Sequence, residues 1–212
     1  MELGDFTSLA ASYGNRAGYS ELVLGALAKY TGAFERPDFK IADVGAGTGK
    51  LTENIFEMGL SCVCVEPNDS MREEGKVYTA KFPADWRKGS GEETGLPSAS
   101  IDWLFMASSF HWVDLRKGLA EFHRVLKPGG FFTALWNPRN LEASPLHTKI
   151  ESRVFEIAPN IKRVSSGGAK YRGELQNDMI STGQFSDCLF VEANHEVAMS
   201  KERYLGAWRS VN

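Results

Sequence analysis

The chain has 212 residues, and its 24 basic and 27 acidic side chains leave a net charge of -3. That length suits one α/β domain with a substantial core and is short for two. Near-balanced charge without a basic tail disfavours nucleic acid as an obligate partner, and no leader pattern or apolar run of about 18 residues suggests membrane insertion, so a cytoplasmic location is the default expectation.

Taken in order, the chain opens with a helical lead-in over 1–36 that carries Tyr13, Arg16 and Tyr19. Leu22, Val23, Leu27 and Tyr30 recur at helical spacing, and Gly32 and Pro37 close the element. Strands are expected at 40–44, 61–65, 101–107 and 130–136, with helices between them at 48–58, 70–78 and 114–126. In the last of these helices Leu115, Leu119, Phe122 and Leu126 share one face, and Lys127-Pro128-Gly129-Gly130 stops it. Cys62 and Cys64 alternate with Val63 and Val65 and read as small buried hydrophobes. With Cys188 the cysteines are odd in number and lack zinc spacing, so neither a disulfide framework nor a metal site is expected. Beyond the fifth strand a helix is expected at 144–158, with Leu146, Ile150, Val154 and Ile157 repeating, and then a less regular stretch at 160–173. A sixth strand at 190–199 and a helix at 202–211 complete the reading. Alternating strands and helices call for a mostly parallel sheet covered on both faces.

The chemistry concentrates in Ile41-Ala42-Asp43-Val44-Gly45-Ala46-Gly47-Thr48-Gly49, followed 17 residues later by Glu66 at the tip of the next strand. Alternate glycines let a backbone lie against a ligand, and an acid on the neighbouring strand is placed to accept hydrogen bonds from a ribose diol. The dinucleotide fingerprint requires a different glycine spacing, and a phosphate loop requires glycine where Val44 stands and Ser or Thr where Leu51 stands. Asp43 would repel a diphosphate and tolerate an amino-bearing ligand. A nucleoside-containing cofactor is the functional reading; a tight turn without a ligand is the plain one.

The run Asp-Val-Gly-Ala-Gly-Thr-Gly-Lys-Leu-Thr, 43–52, resembles the first motif of the class I S-adenosylmethionine-dependent methyltransferases. Glu66-Pro67-Asn68-Asp69-Ser70-Met71-Arg72, the stretch 91–102, Phe110-His111-Trp112-Val113-Asp114 and the stretch 121–130 resemble later elements of one branch, which includes trans-aconitate-like carboxyl methyltransferases. The resemblance spans 13–211 and implies a single domain over 1–212, a Rossmann-like doubly wound sheet, a lid from 1–36 and a cap from 140–182 over the active-site mouth. The family's final antiparallel strand has no counterpart in this sequence. Implied cofactor contacts are Asp43, Gly45, Ala46, Gly47, Glu66, Pro67, Asn68, Met71, Gly91, Glu92 and Ser108, with Asp85 a looser candidate for the adenine edge. Implied acceptor contacts are Tyr13, Arg16, Tyr19, His111 and Trp136.

Methyl transfer from a sulfonium needs alignment and desolvation more than acid–base help. His111 is the candidate general base, and a structural or cofactor-packing role is its alternative. Tyr13, Arg16 and Tyr19 form either a lid that shows a cation to an anionic acceptor or a plain helix edge. Ala17 stands where the branch has proline, and Arg209 where it has serine. These departures keep open a non-catalytic S-adenosylmethionine-binding protein beside the expected enzyme acting on a small molecule, with a carboxylate as one candidate acceptor. The sequence assigns no oligomeric state.

Overall fold

The computed structural model describes residues 10–140, 144–160 and 169–210. Helices α1 (Ala10–Tyr13) and α2 (Glu21–Thr31) precede an alternating series: β1 (Ile41–Val44), α3 (Lys50–Glu57), β2 (Cys62–Val65), α4 (Asp69–Tyr78), β3 (Asp85–Arg87) and β4 (Ile101–Ala107). A 3-10 turn at Phe110–Trp112 leads to α5 (Leu115–Val125), β5 (Leu126–Leu135), α6 (Pro145–Ile157), α7 (Ala169–Ser181) and α8 (Lys201–Trp208). The five strands lie in the order β3-β2-β1-β4-β5, every pair parallel. This is the expected Rossmann-like, doubly wound sheet, and the described residues contain no antiparallel strand. Strand order reverses between β1 and β4, where open α/β sheets place their ligand crevice.

Period-2 alternation sends strand side chains to two cores. Ile41, Cys62, Cys64, Trp103 and Phe105 join Leu24, Ala28, Leu51 and Ile55, so α2 and α3 cover one face. Ala42, Val44, Val65, Leu104 and Met106 join Leu119, Phe122 and Val125 of α5 on the other. Asp43 has the parity of Ile41 and therefore points into the α2–α3 face.

At the amino edge of the sheet, residues 127–130 form a bulge in β5: Ile101 pairs with Leu126 while Trp103 pairs with Phe131. Buried Asp102 fixes it, accepting from Lys127 Nζ at 2.7 Å, Arg36 Nη2 at 2.6 Å and the Lys40 N–H at 2.9 Å. Burial pushes this carboxyl up, but the three donors outweigh it and hold it below the usual carboxylate range.

Four expectations need correction. In α2 the packed face is Val23, Leu24 and Ala28 with Leu27 partly buried beside them, whereas Leu22 and Tyr30 of the expected repeat are exposed. Ser20 caps its start and Gly32, with φ of 72°, ends it as anticipated. Lys127–Gly130 does not separate helix from strand, because β5 starts directly at Leu126. Of the stretch read as irregular, 161–168 lies outside the described residues and helix α7 begins at Ala169. The sixth strand at 190–199 is absent: those residues carry no ladder, and Leu189, Phe190 and Val197 are exposed. Alternation states a local preference, and a strand also requires a neighbour to pair with.

Candidate functional site

The carboxyl ends of β1, β2, β4 and β5 bring together the glycine turn, Glu66, Ser108–His111 and Trp136–Asn137. In the turn, Gly45 N–H and Ala46 N–H both donate to the Val65 carbonyl, at 2.8 and 3.1 Å, and Gly49 N–H donates to Ala46 O at 2.9 Å. Gly47 N–H donates to Glu66 Oε2 at 2.8 Å. With these groups satisfied internally, the turn offers no cradle of free N–H groups to a phosphate. The faces where its glycines lack a side chain are turned to protein neighbours, Gly45 to Ser109, Gly47 to Met71 and Gly49 to Thr79 and Trp86. Gly45, at φ of 68°, closes against Ser109, and a side chain there would meet Ser109 Oγ at 2.7 Å.

Glu66 is buried, with 6% of its surface exposed. Its Oε1 accepts the Asn68 N–H at 2.9 Å while Oε2 holds Gly47, so the carboxylate is clamped by backbone on both sides. Each oxygen keeps a lone pair for a ligand hydroxyl. Burial raises its pKa, and the Asn68 and Gly47 bonds only partly offset that. Asn68 also caps α4 by accepting the Met71 N–H at 3.0 Å, and Arg72 donates to the Glu66 carbonyl at 3.0 Å. Met71 is buried beneath Gly47, Ala46 packs into the α2–α3 core, and Pro67 is exposed.

Asp43 is fully buried. Its Oδ2 accepts from Thr52 Oγ1 at 2.8 Å, whereas Oδ1 is buried with no hydrogen-bond partner. Burial raises its pKa from an ordinary 3.8 to about 7, the Thr52 bond opposing. An acid held higher in the folded chain than in the unfolded one loses stability as pH rises from 3.8 toward 7. A ligand ammonium near Oδ1 would reverse that penalty. Cofactor affinity is therefore expected to climb about tenfold per pH unit below pH 7 and to level off above it, a trend that Asp43→Asn removes. Calorimetric titration with S-adenosylhomocysteine over that range checks this; a flat affinity contradicts it.

The lead-in segment lies half-buried over this crevice. Tyr19 OH donates to Ser108 Oγ at 3.1 Å, and its N–H to Asn54 Oδ1 at 2.9 Å. Burial holds the Tyr19 phenol well above its ordinary range. Ser108 adopts a positive φ of 54°, uncommon for a side-chain-bearing residue, and is fixed by its N–H to Leu135 O at 2.7 Å. Tyr13 is near enough to Glu66 for the acid's charge to raise the phenol, burial being the larger cause. Arg16 stacks on the Tyr13 ring at 3.8 Å and donates Nε and Nη2 to Ser210 Oγ and O, at 2.8 and 2.5 Å. The plain helix-edge reading of this segment does not hold.

His111 sits in the 3-10 turn against Trp112, with Nδ1 buried and unpartnered; burial lowers its pKa below 6.5. Gly91 is buried against Val113, while Glu92 Oε1 accepts the Asp114 N–H at 2.9 Å and so braces the start of α5. Asp85 opens β3, exposed and paired with Arg87, away from the carboxyl edge. Trp136 packs against the α5-side core, and beside it Asn137 donates to Gly18 O at 2.6 Å and meets His195 Nε2 at 3.1 Å. The sequence assigns no role to Thr52, Asn54 or His195, and places Asn137 only by its position beside Trp136 at the carboxyl edge. Thr52 had a signal, since it ends the first motif on the helix turn facing Asp43; the others are distant in sequence.

Strand order, a turn whose N–H groups are satisfied internally and two buried acids at the switch point are the features that the resemblance to class I S-adenosylmethionine-dependent methyltransferases leads one to expect. Residues 42–134 match the family described as a methyltransferase domain. An uncharacterized methyltransferase of Mycobacterium bovis is 39% identical over 102 residues, 48% of this chain and 41% of that protein. A malonyl-[acyl-carrier protein] O-methyltransferase of Coxiella burnetii is 38% identical over 93 residues, 42% of this chain and 30% of that protein. In fold the chain is similar to the crystal structure of a candidate S-adenosyl-L-methionine-dependent methyltransferase from Methanococcus maripaludis, with a TM-score of 0.57 at 18% identity over 82% of this chain and 78% of that one. The chain thus spans less than half the length of these two relatives.

The residues present fit the cofactor. Glu66 is positioned for a diol, and the orphaned Asp43 Oδ1 suits a buried ammonium. Among the described residues no cluster of His, Cys, Asp or Glu could hold a metal ion, and no helix is long and apolar enough to cross a membrane.

Proposed function

We propose that this chain is an S-adenosylmethionine-dependent methyltransferase for a small-molecule acceptor, and that the acceptor atom is a carboxylate oxygen. The cofactor part rests on one observation above the others: two buried acids, one clamped by backbone and one with an orphaned oxygen, flank the glycine turn at the switch point. When bound, S-adenosylmethionine supplies an electrophilic methyl group with a neutral thioether as leaving group. The chain's part is to bind, orient and exclude water. Glu66 would take the ribose diol, Asp43 the amino group, and Tyr13 and Tyr19 would cover the crevice from the lead-in side.

For the acceptor, Arg16 and Arg139 reach the same end of α8, Arg16 on Ser210 and Arg139 over the Trp208 ring at 4.4 Å. Neither forms an ion pair within the described residues. Two guanidinium groups without a counter-ion favour an anionic acceptor. The name of the Coxiella burnetii relative, an O-methyltransferase, agrees with an oxygen acceptor. A carboxylate is ionised at neutral pH and needs no base, so His111 would pack the site and not move a proton.

A second reading has its own support. The buried, unpartnered Nδ1 and the lowered pKa keep His111 neutral at pH 7, the state a base needs for a hydroxyl or amine acceptor. Turnover of labelled cofactor against carboxylic acids, phenols and amines separates the two. With a carboxylate acceptor, His111→Gln should keep turnover within about threefold, with no rising limb below pH 7. A loss of about 100-fold or more with unchanged cofactor affinity assigns the base instead. Binding of S-adenosylhomocysteine with no turnover on any acceptor weakens the enzyme reading in favour of a binding protein.

A further inference from the structure

We infer that α8 is a clasp holding segment 13–19 over the cofactor crevice, with Arg203 as its positioning residue, so that cofactor exchange requires the clasp to open. The inference rests on the cofactor reading above and extends it to the elements that control access.

Segment 13–19 bears on the crevice through Tyr19, whose OH lies on Ser108 Oγ, and Tyr13 at its other end is within range of the Glu66 charge. Its own regular structure is too short to fix it there, since α1 has four residues and ends at Tyr13. Asn54, Ser108 and Asn137 hold its Gly18–Tyr19 end, and what fixes the Asn15–Arg16 stretch comes from nearly 190 residues away. Arg203 Nε donates to the Asn15 carbonyl and Nη2 to the Arg16 carbonyl, both at 3.3 Å. Arg16 returns the contact from the other side, with Nε and Nη2 on Ser210. Between these bonds α8 has Gly206, buried against Asn15: a Cβ there would stand 2.7 Å from Asn15 Cγ.

The arrangement suits a latch better than a permanent weld. The two Arg203 bonds are long for N–H···O and terminate on carbonyls of non-helical chain. Around them α8 is held largely by side-chain stacking, His147 on Tyr204 at 5.9 Å and Arg139 on Trp208 at 4.4 Å. Arg203 touches neither acid of the crevice; it acts through Tyr13 and Tyr19. Its loss should therefore change the rates at which cofactor enters and leaves more than the groups that bind it.

The test measures association and dissociation rates of S-adenosylhomocysteine on the full chain by stopped-flow tryptophan fluorescence. Arg203→Ala should raise the dissociation rate by about tenfold, the scale of two weak hydrogen bonds, with association unchanged or faster. Gly206→Val should act in the same direction by wedging Asn15 away. A Cys188→Ser chain carrying Asn15→Cys and Gly206→Cys should, once oxidised, slow both rates and recover them on reduction. Slower association with unchanged dissociation in Arg203→Ala, or an oxidised cross-link that leaves both rates alone, overturns the clasp. Hydrogen exchange gives a reading that does not depend on cofactor. The Arg16 and Tyr19 amides, bonded to Tyr13 O and Asn54 Oδ1, should exchange faster in Arg203→Ala than in the parent. If the parent does not bind S-adenosylhomocysteine, the cofactor reading fails by itself. If amide exchange is unaltered by Arg203→Ala, the clasp fails whatever binds.

Discussion

Glu66→Ala should weaken S-adenosylhomocysteine binding by about 10- to 150-fold while leaving the domain folded. The upper figure corresponds to about 3 kcal/mol, the worth of a hydrogen bond to a charged group. The carboxylate is buried, clamped between the Gly47 and Asn68 N–H groups, and held at a raised pKa chiefly by burial. In the free protein it is therefore a charge taken out of water with only partial compensation. Its removal should change the melting temperature little, because the burial penalty it relieves offsets the two backbone bonds it vacates. Affinity and stability should thus separate in this variant. Titration beside thermal denaturation reads both. Unchanged affinity, or loss of binding only through unfolding, would contradict the role given to Glu66.

Gly45→Ala should show the opposite coupling, with stability and cofactor affinity falling together. At φ of 68° the residue occupies the left-handed region, and an added Cβ meets Ser109 Oγ at 2.7 Å and Met106 Cε at 3.3 Å. Backbone strain of about 1–3 kcal/mol joins an overpacking cost of about 1–3 kcal/mol. Each kcal/mol lowers the melting temperature of a chain this size by about 2–4 °C, so a fall of roughly 5–20 °C is expected. Ser109 Oγ donates to Val44 O at 3.3 Å, so relaxation that accommodates the methyl also disturbs the end of β1. A fully stable Gly45→Ala chain with normal affinity would show that the turn tolerates a side chain against Ser109 and that its packing does not shape the site.

What the sequence revealed was local. The glycine turn, the acid on β2 and the stop at Gly32 follow from backbone needs met within a few residues, whereas the cap at Asn68 is seen only in the structure. Four of the five parallel strands follow from local periodicities, but β3, at three residues, is too short to show one. Failures arose where a distant partner decides. The residues at 190–199 alternate like a strand but have no ladder, and in α2 Leu22 and Tyr30 are exposed while Leu24 and Ala28 fit against the sheet. Arg16 was legible as a cation near the crevice. That its guanidinium lies on Ser210, 194 positions on, was not, because no spacing rule joins them. The Asn137 contacts with Gly18 and His195 were hidden for the same reason.

The most direct measurement is calorimetric titration of the unaltered chain at about pH 8, above the Asp43 transition, with S-adenosylhomocysteine, NAD and ATP in turn. Saturable binding of S-adenosylhomocysteine in the micromolar range, about -8 kcal/mol, with the other two silent, is the predicted result. Tight binding of NAD or ATP with no heat from S-adenosylhomocysteine would contradict it, since the turn has no free N–H cradle among Gly45, Ala46, Gly47 and Gly49 with which to hold their phosphates.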